Sequence, residues 1–144
     1  MKILICGLSG SGKTTLATNL TKRLEYHNSS VEVFNADLIR TEYNDWDFSM
    51  KGRIRQSKRM KILSDNSMAE FIICDFIAPT QPIRNNINAD FIIWMDTITE
   101  CIYEDTNKIF EIPEKYDLRV RSHNFSTYVL NTLVNNIFYK LQGH

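Results

Sequence analysis

The chain carries no excess charge of either sign: its 144 residues include 17 lysines and arginines against 17 aspartates and glutamates. Net charge therefore gives no electrostatic reason to expect binding to nucleic acid or to a membrane surface. No apolar run approaches the ~20 residues that a membrane span requires. A secretory leader is not expected, because the first apolar run, Lys2-Ile3-Leu4-Ile5-Cys6, passes directly into a glycine-rich loop. The three cysteines, Cys6, Cys74 and Cys101, lack C-x-x-C spacing and sit in or beside apolar runs. They read as small core residues of a reduced, cytoplasmic protein, with no disulfide or metal role. Internal repeats and low-complexity segments are also missing. A single domain over residues 1–144 is expected, large enough for one core.

What is present begins with Gly7-Leu8-Ser9-Gly10-Ser11-Gly12-Lys13-Thr14, followed by Thr15, which satisfies G-x-x-x-x-G-K-[ST]. An apolar strand precedes it and a helix opening, Thr15-Leu16-Ala17-Thr18-Asn19-Leu20, follows it. Strand, glycine loop and helix in that order define a phosphate-binding loop. Gly7, Gly10 and Gly12 let the backbone curl, so that N–H groups of Ser9, Ser11 and their neighbours can face a phosphate. Lys13 can reach the β- and γ-phosphates of ATP, and the Thr14 hydroxyl can ligate Mg²⁺. The sequence predicts a nucleoside triphosphate site.

Along the chain, Leu16, Leu20 and Leu24 mark a helix from Lys13 to about His27, and Val31 to Phe34 alternates as a strand. Asn35-Ala36-Asp37 puts a carboxylate at the carboxyl end of that strand, where open α/β sheets bind ligands. A short helix and turn are expected from Leu38 to Trp46, and a basic helix from Ser49 to Ser67. Six basic residues fall between Lys51 and Lys61. They fit either a solvated helix face or a grip on an anionic acceptor, with Arg53 and Gln56 on one face. Phe71 to Ile77 and Phe91 to Asp96 read as buried strands, and Asp75 resembles the Walker-B carboxylate that holds the magnesium shell. A loop spans Ala78 to Pro82, a helix starts between Thr97 and Tyr103, and Glu104 to Tyr116 is expected to be irregular. Asp117 to Val120 forms a last strand, and Ser126 caps a C-terminal helix. Five strands alternating with helices predict an α/β P-loop NTPase fold: a five-stranded parallel sheet with helices on both faces.

A GTPase would need N-K-x-D, and the nearest match, Asn107-Lys108-Ile109-Phe110, lacks the aspartate. A small kinase suits the length best. In its residues the chain resembles the adenylylsulfate kinase family. The loop G-L-S-G-S-G-K-T-T is close to the family's form. Asn35-Ala36-Asp37-Leu38-Ile39-Arg40 matches its D-G-D-N-V-R, and Trp46-Asp47-Phe48-Ser49 matches its L-G-F-S. Gly52 to Gln56 matches D-R-x-E-N, and Phe76-Ile77-Ala78-Pro79 matches F-I-S-P. Met95-Asp96-Thr97 and Phe110-Glu111-Ile112-Pro113 are similar to its V-D-T and Y-E-A-P segments.

That resemblance implies an ATP- and Mg²⁺-dependent kinase acting on the ribose 3′-hydroxyl of adenosine 5′-phosphosulfate. It implies that Lys13 and Asp37 are catalytic, with Asp37 also at the magnesium site to which the loop and strand patterns already assign Thr14 and Asp75. Arg40, Arg53 and Gln56 would bind the acceptor's anionic part, Phe48 would stack on its base, and Ile77 would contribute through its backbone. Read without the family, Phe48 could be ordinary core, and Arg40 could cap a helix or pair with Glu42. The chain departs from the family in its lid: only Glu104 to Ile109, more acidic than basic, replaces a long basic segment. Ala78 and Asp75 also replace the family's usual residues. Two rivals stay open: a kinase of a related nucleotide with an anionic tail, such as cytidine diphosphoramidate, and a nucleotide-binding module without turnover. A homodimer through an apolar helix face is equally open.

Overall fold

The structure, a computed structural model, describes residues 1–143. Five strands, β1 (Lys2–Cys6), β2 (Val31–Asn35), β3 (Phe71–Asp75), β4 (Phe91–Met95) and β5 (Leu118–Val120), form one sheet. Every neighbouring pair is parallel, and the order is β2-β3-β1-β4-β5. The helices are α1 (Lys13–Tyr26), α2 (Ala36–Tyr43), α3 (Met50–Asp65), α4 (Gln81–Ile87), α5 (Glu104–Ile109) and α6 (Thr127–Leu141). None of them is long and apolar enough to cross a membrane.

The alternation of side chains along each strand divides the core in two. Ile3 and Ile5 of β1, with Phe71, Ile73, Phe91, Ile93 and Met95, face Leu16, Leu20 and Leu24 of α1 and Leu133 and Ile137 of α6. Leu4 and Cys6, with Cys74 and Trp94, face Ile39 of α2, Met60 of α3 and Ile83 and Ile87 of α4. Helices therefore cover both faces, and the central strands are apolar on both sides, as parallel sheets require. β1 lies between β3 and β4, so the chain crosses over it, and the crevice at its carboxyl end is a topological switch point. The glycine loop opens there.

The predicted strands and the three longest helices are found close to their expected bounds. The differences lie after β3. That strand stops at Asp75, and the following turn has Ala78 at a φ of 46°. The segment expected to be loop enters α4, because Pro82 falls in the first helical turn, where a missing N–H is harmless. The helix expected from Thr97 to Tyr103 is absent. The Asn107 side chain bonds both polar backbone groups of Cys101, N–H and C=O, at 2.8 Å each and holds that segment as a loop. The helix forms instead at Glu104–Ile109, with Glu104 and Asp105 in its positive first turn and Pro113 safely past its end.

Two of the three cysteines are core residues as expected, but Cys101 is only partly buried in the 97–103 loop. Burial pushes the Cys6 and Cys74 thiols up to about 11. At pH 8, a thiol reagent should modify Cys101 in the native protein and reach Cys6 and Cys74 only after unfolding, as mass spectrometry of the labelled chain would show. The raised folded-state values also fix a sign. Both thiols stay neutral in the fold while the unfolded chain ionises them above about 9, so their stabilisation is complete below pH 9 and is lost as pH rises toward 11. Urea midpoints measured across that window should fall, and Cys74→Ala should flatten the fall.

Candidate active site

The first wall of the site is built by β1 and α1. Gly12 caps α1 in the left-handed conformation, φ 99°, with no side chain bonding the first helical N–H groups. Those donors, and the positive end of a 14-residue helix, are left facing the crevice. The Lys13 ammonium curls back to donate to the Leu8 carbonyl at 3.0 Å. Burial pulls its pKa below the ordinary lysine value, while Asp75 and Asp37 act in the opposite direction.

The second wall comes from the carboxyl ends of β2 and β3. Thr14 donates to Asp75 Oδ2 at 2.6 Å, and Asn35 Nδ2 donates to the same oxygen at 2.8 Å. Asn35 also caps α2, its Oδ1 accepting from Leu38 N–H at 3.0 Å. That cap starts the helix in register, so Asp37 and Arg40 lie one turn apart on it. Asp37 is exposed, and its carboxylate has no hydrogen-bond partner among the described residues.

The third wall is a ring between two cations. Phe48 lies with the Arg40 guanidinium carbon 4.4 Å from its centroid and that of Arg53 at 5.4 Å. Arg40 is buried and donates to the Asp45 and Asp47 carbonyls at 2.9 and 3.2 Å. It thus closes the turn after α2 rather than pairing with Glu42. Burial lowers its pKa, with Asp45 opposing. Arg53 donates from Nε to the Phe48 carbonyl at 2.9 Å. Phe48 keeps 42% of its surface exposed, so it is not core.

These walls enclose one cavity of about 670 Å³. Of the residues expected at the triphosphate, Ser9, Gly10, Gly12, Lys13, Thr14 and Thr15 line it. Gly7 and Ser11 do not; they lie beneath the loop, where Gly7 abuts Met95 and Ser11 N–H bonds the Leu8 carbonyl at 3.1 Å. Asp37, Asp75, Arg40, Phe48, Arg53 and Ile77 all line the cavity, although the Ile77 carbonyl accepts from Gly7 N–H at 3.3 Å. Gln56, expected at the acceptor, does not line the cavity. It is fully buried away from the cavity, donating to the Ala36 carbonyl at 2.8 Å and accepting from Arg59 at 2.8 Å. A glutamine can satisfy both of its polar atoms internally, and here it braces the junction of β2 and α2.

The basic run of α3 also divides. Arg53 faces the cavity, whereas Arg55 and Arg59 converge on Asp45, each at 2.7 Å, and hold its carboxyl well below the usual carboxylate range. Residues missed by sequence reasoning are Asn35, whose cap position before a helix was the only signal, and Asp105, Thr106 and His123, for which spacing offered none. His123 Nε2 lies 3.2 Å from the Gly10 carbonyl oxygen and 3.3 Å from Thr97 Oγ1.

The donor set fits a magnesium–triphosphate group. Thr14 and Asp75 present hard oxygens together, and an uncapped helix end faces them. Among the described residues no cluster of three or more metal-ligating side chains occurs. The Thr14 hydroxyl and the Asp75 carboxylate are a ligand set of the kind Mg²⁺ uses, its other ligands coming from phosphate and water.

With the loop, carboxylates and ring in one cavity, comparison with known proteins becomes informative. A profile of the adenylylsulphate kinase family matches residues 1–120. The chain belongs to that family. A probable adenylyl-sulfate kinase of Aeropyrum pernix is 34% identical over 90 residues, covering 59% of this chain and 48% of that protein. Another from Pseudomonas aeruginosa is 30% identical over 115 residues, covering 73% and 53%. The chain spans about half the length of these curated relatives. Among solved structures, the Mycobacterium tuberculosis APS kinase CysC in complex with AMPPNP and APS shares the fold at a TM-score of 0.77 and 20% identity, covering 94% of this chain and 96% of that one. Shikimate kinase from Aquifex aeolicus shares it at 0.67 and 18%, covering all of both chains. Both likenesses are of fold.

Gly52 holds the third wall in place. A Cβ there would lie 2.7 Å from the Asp47 carbonyl carbon, so only glycine lets α3 approach the 45–48 turn. Gly52→Ala should destabilise the fold by about 1–3 kcal/mol through overpacking. Because Trp46 sits on that turn and Trp94 is buried in the sheet, tryptophan emission should shift through Trp46 alone. An unchanged urea midpoint and spectrum would show that the turn accommodates the methyl group.

Proposed function

We propose that the protein is an ATP-dependent kinase that transfers the γ-phosphate of ATP to the ribose 3′-hydroxyl of adenosine 5′-phosphosulfate. The observation that carries this reading is the meeting in one cavity of a phosphate loop, an unpartnered carboxylate and an aromatic ring flanked by two arginines. Family membership and the fold shared with an APS kinase solved with both nucleotides support the same acceptor. We take the enzyme to be cytoplasmic, where ATP is abundant and thiols stay reduced; its three cysteines are unpaired.

On this reading the N–H groups of the loop and of the start of α1 bind the phosphates. Lys13 leaves the Leu8 carbonyl to follow the charge that develops on the transferred group. Thr14 and Asp75, with Asp37 nearby, would hold Mg²⁺, which supplies charge neutralisation across the phosphate oxygens. Phe48 stacks on the acceptor base, a contact worth roughly 1–3 kcal/mol. Arg40 and Arg53 receive the charged 5′ tail, for which a planar guanidinium is well shaped. Fixed at both ends, the acceptor presents its ribose hydroxyl toward Asp37, which orients it and accepts its proton. Little covalent chemistry is asked of the protein; position and charge supply the rate.

The direct measurement is ADP formation with Mg-ATP and a panel of acceptors. Nucleotides with a charged 5′ substituent should be phosphorylated, adenosine 5′-phosphosulfate best, and plain nucleosides or sugars poorly. A sugar or nucleoside that outpaced every 5′-charged nucleotide would overturn the acceptor assignment. Lys13→Ala should lower kcat/KM on the order of 10²-fold or more, the scale for loss of one preorganised charge. Asp37→Asn should lower kcat strongly and leave the acceptor Kd much less affected. A change confined to KM would move the proton-accepting role away from Asp37.

A further inference from the structure

The acceptor end of the cavity contains a carboxylate that has no business attracting anions. Arg53, whose side chain is 5% exposed, donates from Nη2 to Asp105 Oδ2 at 3.2 Å and to Thr106 Oγ1 at 3.0 Å. Both partners belong to the first turn of α5, the short acidic segment over this end of the cavity. The helix is anchored, so the contact is not that of a free tail. Asn107 clasps Cys101 at one end, and at the other Glu111 N–H donates to the Pro79 carbonyl at 2.7 Å while Arg84 donates to the Glu111 carbonyl. The Asp105 side chain itself is 64% exposed. It can turn into water at small cost, because a part-exposed ion pair is worth little.

Accepting the reading of Arg53 as a tail-binding residue, we propose that Asp105 sets acceptor specificity by competing with the acceptor's anionic group for Arg53. The carboxylate shares Nη2 with the Thr106 hydroxyl and cancels part of the guanidinium charge. An incoming sulfate or phosphate that takes Nη2 displaces it, and Thr106 remains as a hydroxyl partner. The cavity then binds a charged tail more weakly than its two arginines alone would, and discriminates less sharply between charged and neutral acceptors.

The test reads anion binding without turnover. With the phosphate loop saturated by Mg²⁺ and a non-hydrolysable ATP analogue, sulfate is titrated at constant ionic strength while Trp46 emission is followed; its ring lies 6.3 Å from that of Phe48. Asp105→Asn should tighten sulfate binding roughly two- to fivefold, the range expected when a part-exposed ion pair is removed. Glu104→Gln, which removes the neighbouring charge, should leave it unchanged. Adding Arg53→Gln to Asp105→Asn should abolish the gain. In turnover assays, Asp105→Asn should raise kcat/KM for 5′-charged nucleotides and leave that for the plain nucleoside and the KM for ATP unaltered. No gain with Asp105→Asn, an equal gain with Glu104→Gln, or a gain that survives loss of Arg53 would overturn the proposal. Sulfate affinity does not depend on which molecule is phosphorylated, so failure of the acceptor assignment would appear separately, in the ADP panel.

Discussion

The site depends on one carboxylate oxygen. Asp75 Oδ2 accepts from Thr14 and from Asn35; Asp75 and Asn35 end β3 and β2, and Thr14 stands in the first turn of α1. The bond to Thr14 sets the start of α1 beneath the phosphate loop. The bond to Asn35 fixes the residue that caps α2, and through that cap the helix carrying Asp37 and Arg40. A single buried acceptor therefore relates the half of the cavity that suits a triphosphate to the half that suits an acceptor. A charged oxygen so deep in the fold is tolerated because both donors satisfy it and the Lys13 ammonium lies nearby.

Around that pivot the third wall is built from backbone carbonyls gripped by arginines. Arg40 binds the carbonyls of Asp45 and Asp47, Arg53 binds that of Phe48, and Gln56 binds that of Ala36. Arg55 and Arg59 meanwhile restrain the Asp45 carboxylate. The turn from Asn44 to Phe48 has little apolar burial of its own. Its shape comes from charge-assisted bonds to α3 and from the close approach that Gly52 permits. The same guanidinium groups that fix the turn flank Phe48, so structural and ligand-facing roles are combined in single side chains.

The short α5 segment gives this fold a different balance of charge from a cavity lined by bases alone. It brings Asp105 and Thr106 to Arg53 and presents no lysine or arginine among the cavity-lining residues it contributes. The position of the segment follows from anchors on the turn after β3 and on α4, where Pro79 and Arg84 hold Glu111. That turn in turn contacts the phosphate loop through Ile77 and Gly7. The acceptor end and the phosphate end are thus joined on both sides of the cavity.

By itself the sequence determined the five strands, their parallel sheet, the phosphate loop and the family, because these rest on local signals. Apolar runs bounded by turns specify buried strands, and the glycine spacing of residues 7–14 has one well-known backbone solution. It also singled out Asp37, Arg40, Phe48 and Arg53, which the fold gathers into one cavity. What only the tertiary structure decided is how polar side chains are spent. Gln56 shares a helical face with Arg53 yet turns to a carbonyl 20 residues away, and Arg53 meets an aspartate 52 residues along the chain. Neither pairing has a local cause. Each arises because packing α2, α3 and α5 around the sheet edge leaves buried donors that must find acceptors, and the acceptors within reach are set by the fold.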